Sequence, residues 1–116
     1  MLFICYPKCT TCQKAGKWLN DHGFSYEERN IREQNPTAEE LKLWQKKSGL
    51  PLSKFFNTSG LVYRSAGLKD RLPSMTEEEQ FALLASDGML VRRPLLIAGD
   101  TVLVGFRESV WAEALK

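Results

Sequence analysis

Leu2-Phe3-Ile4-Cys5-Tyr6-Pro7-Lys8-Cys9-Thr10-Thr11-Cys12 is the stretch from which the rest of this sequence is read. Leu2 to Tyr6 is a short apolar run of strand-forming residues ended by Pro7. From Cys12 to His22, the residues Ala15, Trp18, Leu19 and His22 recur at helical spacing, and Gly23 follows as a C-cap. The stretch therefore reads as strand, loop and helix start. Cys9 and Cys12, three apart on the first helical turn, face the same way, so their sulfurs can form a disulfide where the backbone permits. A helix N-terminus also stabilises a thiolate, and Cys-x-x-Cys motifs lower a cysteine pKa from about 8.5 to roughly 3.5–7.5. Redox chemistry at Cys9 and Cys12 is the leading reading.

The remaining composition fits that reading. At 116 residues the chain has the length of one domain that buries a core without disulfide staples or a structural metal. Hydrophobic residues make up 43% and charged residues 26%, and no apolar run approaches the roughly 18 residues that cross a bilayer. The N-terminus lacks the basic region of a secretory signal, so a cytoplasmic location is expected. Sixteen basic against fourteen acidic residues give a net charge of +2, too balanced to indicate direct nucleic-acid binding. The three cysteines all fall between residues 5 and 12, which excludes a long-range disulfide framework.

Downstream, Phe24 to Asn30 alternates as a second strand, completing a β-α-β unit with a right-handed crossover and parallel strands. The Cys-x-x-Cys loop then lies beyond the carboxyl end of the first strand, where open α/β sheets place ligands. Capping boxes Thr37-x-x-Glu40 and Thr76-x-x-Glu79 open two helices, ending near Ser48-Gly49 and Asp87-Gly88. Residues 50–71 between them read as irregular and mostly helical. Leu95–Ala98 and Thr101–Gly105 form a hairpin about Gly99-Asp100, followed by a helix with Val110, Trp111, Ala114 and Leu115 inward. The expected architecture is a single α/β domain over 1–116, β-α-β then β-β-α, with a mixed sheet of about four strands and a helical insertion at about 36–88.

Side chains outside the motif have plainer readings. Cys5, inside the first strand, reads as structural. The spacing Cys5-x3-Cys9-x2-Cys12 also matches the cluster-binding triad of radical enzymes that use S-adenosylmethionine, but such enzymes build a much larger barrel around it. His22 suits a helix C-terminus, and Trp18, Trp44 and Trp111 suit helix core faces. Thr10 and Thr11 are candidates to contact a sulfur or cap the helix. Lys8 and Arg92 have solvated positions as their ordinary fate. Pro94 opens a strand, where its missing N–H is tolerated. Arg93 beside the thiol would stabilise a thiolate or grip a carboxylate or oxyanion.

Tyr6-Pro7-Lys8-Cys9-Thr10-Thr11-Cys12, Glu28-Arg29-Asn30-Ile31 and Arg92-Arg93-Pro94-Leu95-Leu96-Ile97, with this order of elements, resemble the arsenate-reductase and Spx family and its thioredoxin-like fold. The resemblance covers nearly the whole chain. It implies that Cys9 is the nucleophile, that Arg93 binds an anion, and that Pro94 is the proline that is cis in such folds. Arsenate reductases of this type carry further arginines at places held here by Asn57 and Gly105, with Arg64 and Arg107 nearby but out of register. Spx-like regulators share the two-cysteine switch and carry a longer C-terminal tail than this sequence.

The function expected is a thiol–disulfide oxidoreductase with catalytic Cys9, Cys12 and Arg93, and with Thr10, Thr11, Arg93 and Pro94 contacting substrate. No metal or tightly bound cofactor is expected; glutathione, glutaredoxin or thioredoxin would serve as external reductant. The alternatives are an Spx-like redox regulator binding the RNA polymerase α-subunit, and a glutathione- or thioredoxin-dependent arsenate reductase. No membrane partner is expected.

Overall fold

Alternation along the first strand divides the core in two. A computed structural model describes all residues, Met1–Lys116. In β1 (Leu2–Cys5), Ile4 joins one buried cluster while Phe3 and Cys5 join another on the opposite face. β2 (Glu27–Asn30) pairs parallel with β1, with Leu2 opposite Glu27 and Cys5 opposite Asn30. β3 (Leu95–Ala98) runs antiparallel to β1, and β4 (Thr101–Val104) antiparallel to β3, in the order β2-β1-β3-β4. Helices cover both faces, giving the α/β thioredoxin-like fold.

The first face is covered by α1 (Thr10–Asp21), which crosses from β1 to β2, and by the last helix of the chain. Ala15, Trp18 and Leu19 form its buried stripe, and Trp18 meets Trp111 edge to face at 6.1 Å. On the second face lie α2 (Ala38–Ser48), α3 (Leu61–Ser65), α4 (Leu68–Arg71) and α5 (Glu77–Ser86), all between β2 and β3. Short 3-10 turns at Leu52–Phe55, Leu72–Ser74 and Gly88–Leu90 interleave with them. The chain closes with α6 (Glu108–Ala114), whose Trp111 is 1% exposed. No helix is long and apolar enough to cross a membrane.

Both capping boxes form as the sequence predicts: Thr37 and Thr76 each accept the N3 backbone N–H while Glu40 and Glu79 reach back. Two boundaries differ. α1 starts at Thr10, because Cys9 is its N-cap and the Cys9 carbonyl accepts Gln13 N–H at 3.0 Å. β2 starts at Glu27, not Phe24: the Phe24 N–H is taken by the Leu19 carbonyl at the end of α1. The Phe24 ring stacks on Trp18 at 5.9 Å, and Tyr26 packs against Phe3 at 5.2 Å. Those aromatics therefore fasten the helix end and leave only the last residues free to pair.

The Glu28-Arg29-Asn30-Ile31 run acts as a fastening point between layers. Arg29 grips Glu40 with two hydrogen bonds of 2.8 and 2.9 Å and also donates to the Gln34 and Asn35 carbonyls. Asn30 accepts the N–H groups of Arg32 and Glu33, and Ile31 is fully buried. Gly88 lies against this corner; a Cβ there would sit 1.9 Å from the Ile31 carbonyl oxygen, so only glycine fits.

Candidate thiol site

Cys9 occupies the N-cap of α1 in extended conformation (φ −86, ψ 119), half-buried, with its sulfur facing the first helical N–H groups. Burial alone pushes its thiol up. That effect is outweighed by the Cys12 N–H and thiol, the Arg93 guanidinium and the Thr11 N–H, so Cys9 titrates below an ordinary cysteine. Cys12, one turn on, is 3% exposed and its sulfur accepts the Tyr6 N–H at 3.4 Å. Burial, with the neighbouring Cys9, pushes Cys12 up to about 12, and Tyr6 N–H and Arg93 only partly oppose this. The two sulfurs are thus unequal: the accessible one is the more acidic, and the buried one holds its hydrogen more tightly. All three cysteines are free thiols.

Cys5 has a separate setting. Burial and a 3.3 Å hydrogen bond from its sulfur to Glu28 hold it up at about 12, and it does not line the groove into which Cys9 opens. No three His, Cys, Asp or Glu side chains are grouped to hold a metal ion.

Arg93 reaches the site from two residues before β3. Its Nη1 donates to the Met89 and Val91 carbonyls at 3.4 and 3.3 Å, and its guanidinium lies over the Tyr6 ring at 5.6 Å. Its Nε is buried with no hydrogen-bond partner, the one such side-chain nitrogen or oxygen in the molecule. Leaving a buried donor unpaired costs about 1–3 kcal/mol, so a ligand oxygen bound there would recover energy that the fold alone does not. The Arg93–Pro94 peptide is cis, and the buried Pro94 accepts Gly105 N–H at 2.8 Å.

A groove of about 980 Å³ opens over Cys9. Thr11 lines it and Thr10 does not, although both are exposed. The facing wall is the loop Asn57–Gly60 with Phe56 before it and Leu61 and Val62 beyond, and Met89, Arg92, Arg93, Gly105 and Phe106 complete the lining. No Asp or Glu contributes. Neither Arg64 nor Arg107 reaches this groove, whereas Asn57 and Gly105 do. The Asn57–Gly60 loop and Arg92 were not assigned to the site by sequence reasoning. The loop's signals were its polar run before a glycine and the place of Asn57 where arsenate reductases of this type carry an arginine, and Arg92 carried none beyond adjacency to Arg93. His22 lies outside the site: its Nδ1 meets the Trp18 carbonyl at 2.8 Å and its ring stacks on Trp18.

Residues 5–114, which include the thiol at the start of α1 and the arginine–proline pair entering β3, match the ArsC family model. The chain belongs to the ArsC family. Among its relatives, the uncharacterized protein YusI of Bacillus subtilis is 55% identical over 97% of this chain and 96% of its own. A solved structure described as a possible arsenate reductase, from Streptococcus mutans, is 45% identical and superposes with a TM-score of 0.85, covering 91% of this chain and 90% of that one. The global transcriptional regulator Spx of Staphylococcus haemolyticus is 28% identical over 89% of this chain and 77% of its length. This chain's ArsC relatives therefore include both a candidate enzyme and a regulator.

Proposed function

We propose that the protein is a thiol–disulfide oxidoreductase of the cytoplasm, a single domain in which Cys9 is the nucleophile and Cys12 the resolving thiol. The observation that carries this reading is the split between the two sulfurs: Cys9 accessible and lowered, Cys12 buried and held at about 12. The Cys9 thiolate attacks a disulfide, forming one S–S bond while the other half leaves as a thiolate and takes a proton from solvent. Bonded in that way, Cys9 carries no charge, so its hydrogen bond and repulsion cease to hold the proton on Cys12. Tyr6 N–H and Arg93 remain to favour the Cys12 thiolate. Cys12 then attacks Cys9 Sγ and releases the second thiol. Overall the protein dithiol becomes a disulfide and one substrate disulfide becomes two thiols. An external thiol reductant, glutathione, glutaredoxin or thioredoxin, reverses this.

Arg93 serves this cycle by opposing the thiolate charge and offering its unpaired Nε to a substrate oxygen. Arsenate reduction is the less favoured reading, because the places where arsenate reductases of this type carry further arginines hold Asn57 and Gly105 here, and Arg64 and Arg107 do not line the groove. Turnover of a disulfide substrate with each reductant tests the scheme. Cys9→Ser abolishes turnover and Cys12→Ser accumulates a mixed disulfide; full activity in Cys9→Ser would overturn it.

A further inference from the structure

Arg92 stands where two cavities meet. Its backbone N–H is fixed to the Phe55 carbonyl at 2.8 Å, and its side chain lies across Gly105. Gly105 has φ +73, a backbone conformation that reserves the position for glycine, and Arg92 Nε lies 2.8 Å from where a Cβ there would stand. Arg92 and Gly105 line the Cys9 groove and also a neighbouring cavity of about 400 Å³. The neighbour's other cations are Lys54 and Arg107, above an apolar floor that includes Leu50, Val104 and the 46% exposed Val110.

No Asp or Glu lines either cavity. Arg92, Arg93, Lys54 and Arg107 take part in no salt bridge. The whole chain carries only +2, so this run of unpaired cations is local and does not reflect a generally basic surface. The first cavity alone is at the upper end of the about 300–1,000 Å³ typical of small-molecule sites, and the second prolongs it past Gly105. An elongated anion fits this track better than a compact one.

Resting on the thiol-exchange reading above, we propose that the two cavities form one anion-reading track and that the disulfide attacked by Cys9 belongs to an acidic peptide. The peptide's cysteine lies in the groove, and its carboxylates extend past Gly105 to Arg92, Lys54 and Arg107. In the exchange step the Cys9 thiolate bonds to the peptide sulfur, the S–S bond to the other half breaks, and that half leaves with the electron pair. Cys12 then displaces the peptide thiol.

The probes are two hexapeptides bearing a cysteine as its mixed disulfide with thiopyridine, one with glutamates on both sides of the cysteine and the other with glutamines. Thiopyridone release at low salt reads the attack rate, with neutral dithiodipyridine as reference. The glutamate peptide reacts about tenfold faster, and salt near 1 M reduces the difference. Arg92→Met lowers the ratio several-fold, and the double variant Lys54→Glu, Arg107→Glu inverts it in favour of the glutamine peptide. Equal rates for the two peptides, or a preference that survives both variants, overturn this proposal while leaving thiol exchange intact. A protein inert to dithiodipyridine overturns thiol exchange itself, and this proposal with it.

Discussion

At the scale of single residues, the chemistry turns on how one helix terminus treats two identical side chains. Cys9 receives N–H groups and a guanidinium, whereas Cys12 is enclosed and receives the Tyr6 N–H as its main counterweight. Alkylation requires the thiolate, so its rate for Cys9 rises with pH with an inflection below that of an ordinary cysteine. Arg93→Met removes one of the groups lowering Cys9 and moves the inflection upward; an unmoved inflection, read by iodoacetamide labelling and mass spectrometry, would remove Arg93 from the site. The linkage to stability has a definite sign. A depressed Cys9 stabilises the reduced fold fully above the unfolded value and loses that contribution as pH falls through its folded value. Cys5 and Cys12, raised to about 12, act oppositely: their contribution is complete below the unfolded value and is lost as pH rises towards 12. Urea midpoints of wild type and Cys9→Ser, compared from pH 5 to 9, therefore diverge as pH rises, with wild type gaining relative to the variant.

At the scale of elements, strands and capped helices were legible because each is signalled locally. Short apolar runs bounded by turn residues marked β1, β3 and β4, and the Thr37 and Thr76 boxes marked α2 and α5. The true start of β2 was not legible, since it depends on Phe24 and Tyr26 finding Trp18 and Phe3 across the fold. The same holds for the site. Cys9, Cys12 and Arg93 could be named from motif and resemblance, but the Asn57–Gly60 loop faces Cys9 only because the helices between β2 and β3 fold back over the sheet. Gly88 shows how closely those layers approach. Gly88→Ala forces a Cβ against the Ile31 carbonyl, and overpacking of this kind costs on the order of 3 kcal/mol. Chemical denaturation is expected to show that loss, together with a weakened junction between β2 and the turn before β3. A Gly88→Ala protein as stable as wild type would contradict the packing described for that corner.

At the scale of the whole molecule, the two buried clusters divide the labour. The cluster of Phe3, Trp18, Leu19 and Trp111 fixes α1 on the sheet and so fixes where Cys9 and Cys12 stand. The larger cluster, with Leu41, Phe55, Leu84 and Val91, supports the helices that form the outer wall of the groove. The parallel β-α-β pair, the hairpin and a mixed sheet of about four strands could be read from element order, and the thioredoxin-like fold from the family resemblance, whereas the strand order β2-β1-β3-β4 came from the structure. The shape of the groove could not be read either, because it arises from short helical segments with weak periodicity, among them Leu61–Ser65 and Leu68–Arg71. Peptide mapping after reduced protein is mixed with one equivalent of dithiodipyridine and quenched over time tests the central claim most directly. The account predicts a transient thiopyridyl adduct on Cys9 that converts to a Cys9–Cys12 disulfide while Cys5 stays a free thiol. A stable adduct on Cys9 that never resolves, or first reaction at Cys12 or Cys5, would contradict it.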